Sequence, residues 1–188
     1  MTRHPVFPAW LSNRLRPIGV AVLWTLLSAC SAITVTQDYD PAHDFSTLKT
    51  YAWLPDLRTK TSLDDLELGR VQSAVDSGLQ ARGFSKAEAN PDLLVSADTI
   101  TERQTQVITR RYGYGYWEGY ETYNYNVGTL ILDFVDPNTE RLVWRGEAQA
   151  VLSEDPTSEE RSKRVNEAVT KMLERFPPKQ DRPRSGDG

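Results

Sequence analysis

The chain predicts an α+β fold: a two-layer domain whose mostly antiparallel sheet of about five strands is covered on one face by two helices. Three observations lead there. Apolar residues recur at three- and four-residue steps in two stretches, around Leu68–Leu79 and Val165–Phe176, the period of a helix with one buried stripe. Period-two alternation marks strands before, between and after the first of them. The connections are short and each helix has a single apolar stripe, so both cover the same sheet face. The crossover through the first helix leaves room for a parallel pair.

Residues 33–39 (Ile-Thr-Val-Thr-Gln-Asp-Tyr) alternate apolar and polar and read as a half-buried strand, broken by Asp40-Pro41. Lys49–Leu54 is a second, aromatic-rich strand stopped by Pro55. After the polar linker 56–61, Ser62 with Asp65 three residues on approximates a capping box. Asp64, Asp65 and Glu67 suit the positive end of a helix dipole. Leu68, Val71, Val75 and Leu79 form the stripe, and Gly83 is the expected left-handed cap, with Phe84 folding back onto the last turn. The spacing predicts a helix over 62–82.

Asn90-Pro91-Asp92 is a turn before a long strand that begins at Leu93-Leu94-Val95 and runs through Thr- and Gln-rich residues 99–111, projecting from the core into water. Residues 126–136, the most hydrophobic run, read as a central strand. The turn Asp136-Pro137-Asn138-Thr139 joins it to an alternating strand, Leu142–Ala150, with one wet face. These two form a hairpin. The last helix opens at Asp155-Pro156 or at Thr157, which has Glu160 at capping-box spacing. Val165, Ala168, Val169, Met172, Leu173 and Phe176 make its stripe, and Pro177-Pro178 ends it. Residues 179–188 carry no large apolar side chain and are expected to be disordered.

The first 29 residues have another logic. Arg3, Arg14 and Arg16 precede an apolar run of ten residues, Ile18–Leu27, followed by small residues and the only cysteine, Cys30. A basic start, a short apolar core and a small-residue cleavage site make a secretory signal peptide. As a helix that run rises only about 15 Å, half of a bilayer core, so it does not span. Leu27-Ser28-Ala29-Cys30 resembles the lipobox of bacterial lipoproteins, in which lipid is attached to the cysteine thiol before the signal is removed. That resemblance implies a signal peptide over 1–29 and a permanent multi-chain anchor on Cys30, palmitate included. Ser31 in place of aspartate implies sorting to the outer membrane, facing the periplasm.

Without 1–29 the chain keeps 19 basic and 26 acidic residues, a formal balance of −7. That balance argues against nucleic acid and against charge-driven adhesion to anionic lipid. With Cys30 lipidated no disulfide can form, so stability rests on packing.

Several stretches taken together resemble the DUF4136 family of bacterial lipoproteins. They are Asp38-Tyr39-Asp40 with Asp44 to Trp53, then Gly128-Thr129-Leu130-Ile131-Leu132-Asp133-Phe134, then Val143-Trp144-Arg145-Gly146, and the closing Phe176-Pro177-Pro178. The resemblance covers about 33–178. It implies a small envelope-associated α+β domain over 30–178 and carries no reaction with it.

Residues 112–125 hold six of the eight tyrosines, Trp117 and three glycines. Tyrosine gives a large amphipathic contact area at low entropic cost, so Tyr112, Tyr114, Tyr116, Trp117 and Tyr120 are candidates for a loop that binds peptidoglycan or an envelope protein. The same composition suits a hairpin tip with cross-strand tyrosine pairs, or a low-complexity loop. Trp53 and Trp144 read as core residues.

Catalytic constellations are thin. His43, the one histidine after residue 29, lies in a polar turn, and a zinc site or a Ser-His-Asp triad would have to be built around it. Ser46-Thr47-Leu48-Lys49 has Ser-x-x-Lys spacing but precedes a strand and lacks the partner motifs. Asp133, Asp136 and Glu147 lie around one hairpin, with Asp98 on a neighbouring strand, and a carboxylate pair of a cell-wall glycan hydrolase is the alternative function. Against it, Arg145 faces Asp133 as a cross-strand ion-pair partner. The sequence thus predicts a lipid-anchored, non-enzymatic binding or structural module of the envelope, with no metal and no cofactor beyond the covalent lipid.

Overall fold

The computed structural model describes residues 33–111 and 118–179. The elements run β1 (Thr34–Tyr39), β2 (Thr50–Trp53), α1 (Leu57–Lys60), α2 (Asp65–Gln80), β3 (Ser85–Lys86), β4 (Leu93–Arg111), β5 (Glu118–Asp136), β6 (Arg141–Val151) and α3 (Ser158–Leu173). The six strands form one mixed sheet in the order β1-β6-β5-β4-β2-β3. Pairing is antiparallel from β1 through β4 and parallel where β2 meets β4 and β3. The sheet is therefore larger and more mixed than a five-strand antiparallel one. The difference lies at one edge, where the crossover through α2 returns the chain parallel to β2 and two residues after its cap pair there as β3.

Side chains of Trp144, Ala148 and Ala150 point toward the helices, on the face shared by Gly146, while Arg145, Glu147 and Gln149 point away. Buried Val71, Val75 and Leu79 of α2 and Ala168, Val169, Met172 and Leu173 of α3 close the core over Val95, Leu132 and Phe134. Five rings lock it: Phe134 stacks on Trp144 (4.9 Å), Phe176 stands edge-on to Phe134 (4.4 Å), and Phe45 and Phe84 flank Phe176 at 6.0 and 5.6 Å. Phe176 is thus the plug by which the end of the domain grips its beginning. Gly146 is glycine because a Cβ there would run into the Trp144 ring.

Local signals set the helix ends. Thr157 and Glu160 form the reciprocal capping box that starts α3. Gly83 takes φ 84°, and the Phe84 amide donates to the Leu79 carbonyl (3.1 Å) to close α2. The start of α2 differs from the Ser62/Asp65 expectation. Asp64 is the cap, accepting from the amides of Leu66 and Glu67, because Ser62 is drawn away to Asp98 on β4. Trp53 likewise sits at the margin of the core, partly buried, its indole N–H donating to Asp76 (2.9 Å).

Candidate functional site

Beyond the rung Val127↔Val151, β4 and β5 leave the sheet as a two-stranded arm. Nine rungs, Arg103↔Asn126 to Arg111↔Glu118, have no third strand among the described residues, about 30 Å of ribbon. Its exposed surface includes Val107, Ile108, Tyr120 and Tyr123. Tyr120 is therefore not a loop residue. It lies on β5 opposite Thr109 and is 67% exposed, because the strand begins at Glu118, eight residues earlier than the hydrophobic run suggests. Tyr112, Tyr114, Tyr116 and Trp117 lie outside the described residues, as do Leu27, Ser28, Ala29, Cys30 and the tail 180–188.

The arm leaves where the chain enters. Thr34 pairs with Gln149, Gln149 with Thr129, and Thr129 with Ile100, so one rung links the start of β1 to the base of the arm. At this end the sheet and the first turns of α2 and α3 leave a cleft of about 340 Å³. Gly128, Ala148 and Ala150 line its sheet side with Thr99 and Thr101, Leu63, Leu152 and Val165 wall it, and Arg70, Arg161 and Arg164 line it with Glu67 and Glu154. Register explains the recess: the rungs Thr101–Gly128–Ala150 and Thr99–Leu130–Ala148 set a glycine and two alanines together on the inner face, beside two threonines and a leucine. Arg70 donates to Ser158 Oγ (3.1 Å), and Arg164 to the Val151 carbonyl (3.4 Å) and Ser153 Oγ (2.8 Å). Arg161 lies 3.7 Å from Glu67.

The carboxylates singled out by sequence are each engaged by other groups, Glu147 by the Thr36 hydroxyl at 3.5 Å and, like Asp133, by the charge of Arg145. Both oxygens of Asp133 accept from Arg145, Nε and Nη2 each at 2.7 Å, on the face away from the helices. Asp133 raises the Arg145 guanidinium pKa foremost through these bonds; burial works the other way, and the charges of Glu147 and Asp38 add to the rise. Asp136 is turned into its own turn, accepting from the Asn138 amide and Thr139 hydroxyl. Burial works to raise the pKa of Asp98, but hydrogen bonds from Ser62, the Thr99 amide and Thr61 outweigh it and hold it below the usual range.

Sequence reasoning did not find Asp76 and Asp92, two hubs that tie segments together. Asp76 on α2 accepts from the Tyr51 hydroxyl and the Trp53 indole, each at 2.9 Å, and meets Lys86 Nζ at 3.0 Å. Burial, then the bond to Asp76 and its charge, push the Tyr51 pKa up. One oxygen of Asp92 accepts from the amides of Lys49 and Thr50 and from the Thr50 hydroxyl, which lowers the Asp92 pKa. His43 is half-buried, edge-on to Phe45 at 4.9 Å. Ser46 is held by Asp44 within the turn before β2. Among the described residues no three His, Cys, Asp or Glu side chains gather as a metal site.

The fold has relatives among solved structures. A PDZ domain protein from Parabacteroides distasonis superposes with a TM-score of 0.50 at 17% identity over 78% of this chain. The chain spans only 35% of that protein's length. PelC from Paraburkholderia phytofirmans, crystallised as a dodecamer, gives a TM-score of 0.45 at 17% identity, covering 76% of this chain and 95% of PelC. No curated protein sequence matches. The model of the domain of unknown function DUF4136 matches residues 35–178, from β1 to the prolines after α3. The chain belongs to the DUF4136 family.

Proposed function

We infer that the mature protein begins at Cys30, carries lipid on that thiol, and is held at the periplasmic face of the outer membrane. There the domain over 30–178 acts as a non-enzymatic binding or structural module toward another envelope component, an envelope protein or peptidoglycan. The observation that carries the anchor is Leu27-Ser28-Ala29-Cys30 directly after a short apolar run. Two further observations favour a module that holds rather than cuts. The arm exposes aromatic and aliphatic side chains on a ribbon with no neighbouring strand among the described residues, and its strands are joined through Tyr112, Tyr114, Tyr116 and Trp117. Two-stranded ribbons are marginal alone and gain from a partner. Among the described residues the carboxyls with displaced pKa values, Asp44, Asp92, Asp98, Asp136 and Glu160, are all displaced downward. A glycosidase's general acid needs the opposite.

Metabolic labelling with palmitate tests the anchor. Wild type takes up label and Cys30→Ala does not; equal label on both ends the reading. Replacing Tyr114, Tyr116 and Trp117 together with alanine tests recognition. A folded variant that retains less peptidoglycan or fewer envelope partners in pull-down supports it, and undiminished retention counts against it.

A further inference from the structure

The cleft at the base of the arm is not used by that reading. We propose that it takes one acyl chain of an anionic membrane phospholipid, with the phosphate at the arginines that line it; the orientation to the membrane rests on the anchored reading above.

Three observations converge on this occupant. The sheet side of the recess carries Gly128, Ala148, Ala150 and Leu130 beside the Thr99 and Thr101 of the same rungs, Leu152 packs over Gly128, and its roughly 340 Å³ falls at the lower end of ligand sites. Such a lining selects a slender, unbranched apolar group over a bulky side chain. Second, Ile33 lines the cleft and lies three residues after Cys30, a stretch that spans at most about 10 Å. A lipid on Cys30 would thus tether the Ile33 end of the domain to the bilayer by a short stretch of chain, where acyl chains are the prevailing apolar ligand. Third, the lining reverses the sign of the chain. Of its 188 residues 26 are acidic and 22 basic, yet three arginines line the cleft against Glu67 and Glu154. The hydrogen bonds of Arg70 and Arg164 go to neutral oxygens and leave their charge available to a phosphate. Glu160, near Arg164, is outside the lining and turned to the Thr157 cap.

The test uses the mature protein in phosphatidylcholine vesicles with a minor fraction of phosphatidylglycerol carrying a photoreactive diazirine at its acyl end. After irradiation, label is expected on peptides containing 126–130, 148–154 and 161–168. Ala150→Phe, which fills the sheet side, is expected to lower it about tenfold, the loss for roughly two methylenes no longer buried. Leu63→Trp, at the half-buried wall, serves should the first variant not fold. Arg70→Gln with Arg164→Gln is expected to abolish the preference over the same photoreactive chain on phosphatidylcholine. Label that folded filling variants leave within about twofold overturns the proposal. So does label confined to the outer sheet face, or a dimer in light scattering with an unlabelled cleft. Palmitate on Cys30 is read separately. A labelled cysteine with an unlabelled cleft overturns this inference and leaves the anchor standing, whereas an unlabelled cysteine overturns the anchor.

Discussion

Asp133 interrupts the apolar run at the end of β5, and its role can be measured. It meets Arg145 through two charge-assisted hydrogen bonds of 2.7 Å, with side chains 20% and 40% exposed. Exposed ion pairs are worth about 0.2–1 kcal/mol; bidentate, partly screened geometry puts this one near the top, about 1 kcal/mol of coupling. The neighbours make the single variants unequal. Arg145 also feels Glu147 and Asp38, its rung partner on β1. Removing the cation leaves three carboxylates on one patch, so Arg145→Met is expected to cost about 2 kcal/mol, and Asp133→Asn about 1 kcal/mol. Urea unfolding of wild type, both single variants and the double variant gives the coupling directly. In 1 M salt, where the Debye length is about 3 Å, it should shrink by half or more. A coupling below about 0.3 kcal/mol, or Asp133→Asn costing more than Arg145→Met, would refute the structural role assigned to this pair.

Three other perturbations follow from the packing and the caps. Phe176→Ala removes the ring shared by Phe45, Phe84, Phe134 and Trp144 and is expected to cost about 3–5 kcal/mol in urea unfolding. Thr157→Ala removes the capping box of α3 and is expected to cost about 1 kcal/mol, read as a lower melting temperature. Asp92, Asp98 and Asp136 have folded pKa values below their unfolded ones. Their contribution is present in full above about pH 4–5 and is lost as pH falls through the folded values. Tyr51 has the opposite displacement. Its contribution is full below about pH 10 and fades above it. A urea midpoint that is level between these limits and falls outside both is the expected profile, and Asp98→Asn should flatten its acid limb.

What the sequence made legible is what short-range patterns encode. The β5–β6 hairpin follows from alternation and its Asp-Pro-Asn-Thr turn, and α3 from its stripe and Thr157-x-x-Glu160. Gly83 and Phe84 announce the end of α2. The opposition of Asp133 and Arg145 follows once the hairpin register is known. Features that depend on distant partners were hidden. Ser62 has the composition of a cap, but Asp98, 36 residues away, takes its hydroxyl and amide. The Ser85–Lys86 strand is too short to show a period and exists because β2 lies beside it. The start of β5 is not legible because Tyr120 and Tyr123, three residues apart and both exposed, fall on opposite faces of the ribbon, so no apolar run marks the strand. The cleft draws its lining from several separate segments. Its one local trace was the set of small residues Gly128, Ala148 and Ala150, which becomes meaningful only when the register sets them together.

The anchor is tested most directly by the mass of the amino-terminal peptide of the protein extracted from its own membranes. The account predicts that this peptide starts at Cys30 and carries diacylglyceryl and acyl groups, with residues 1–29 gone. An amino-terminal peptide that begins upstream of Leu27, or begins at Cys30 with an unmodified thiol, would contradict it.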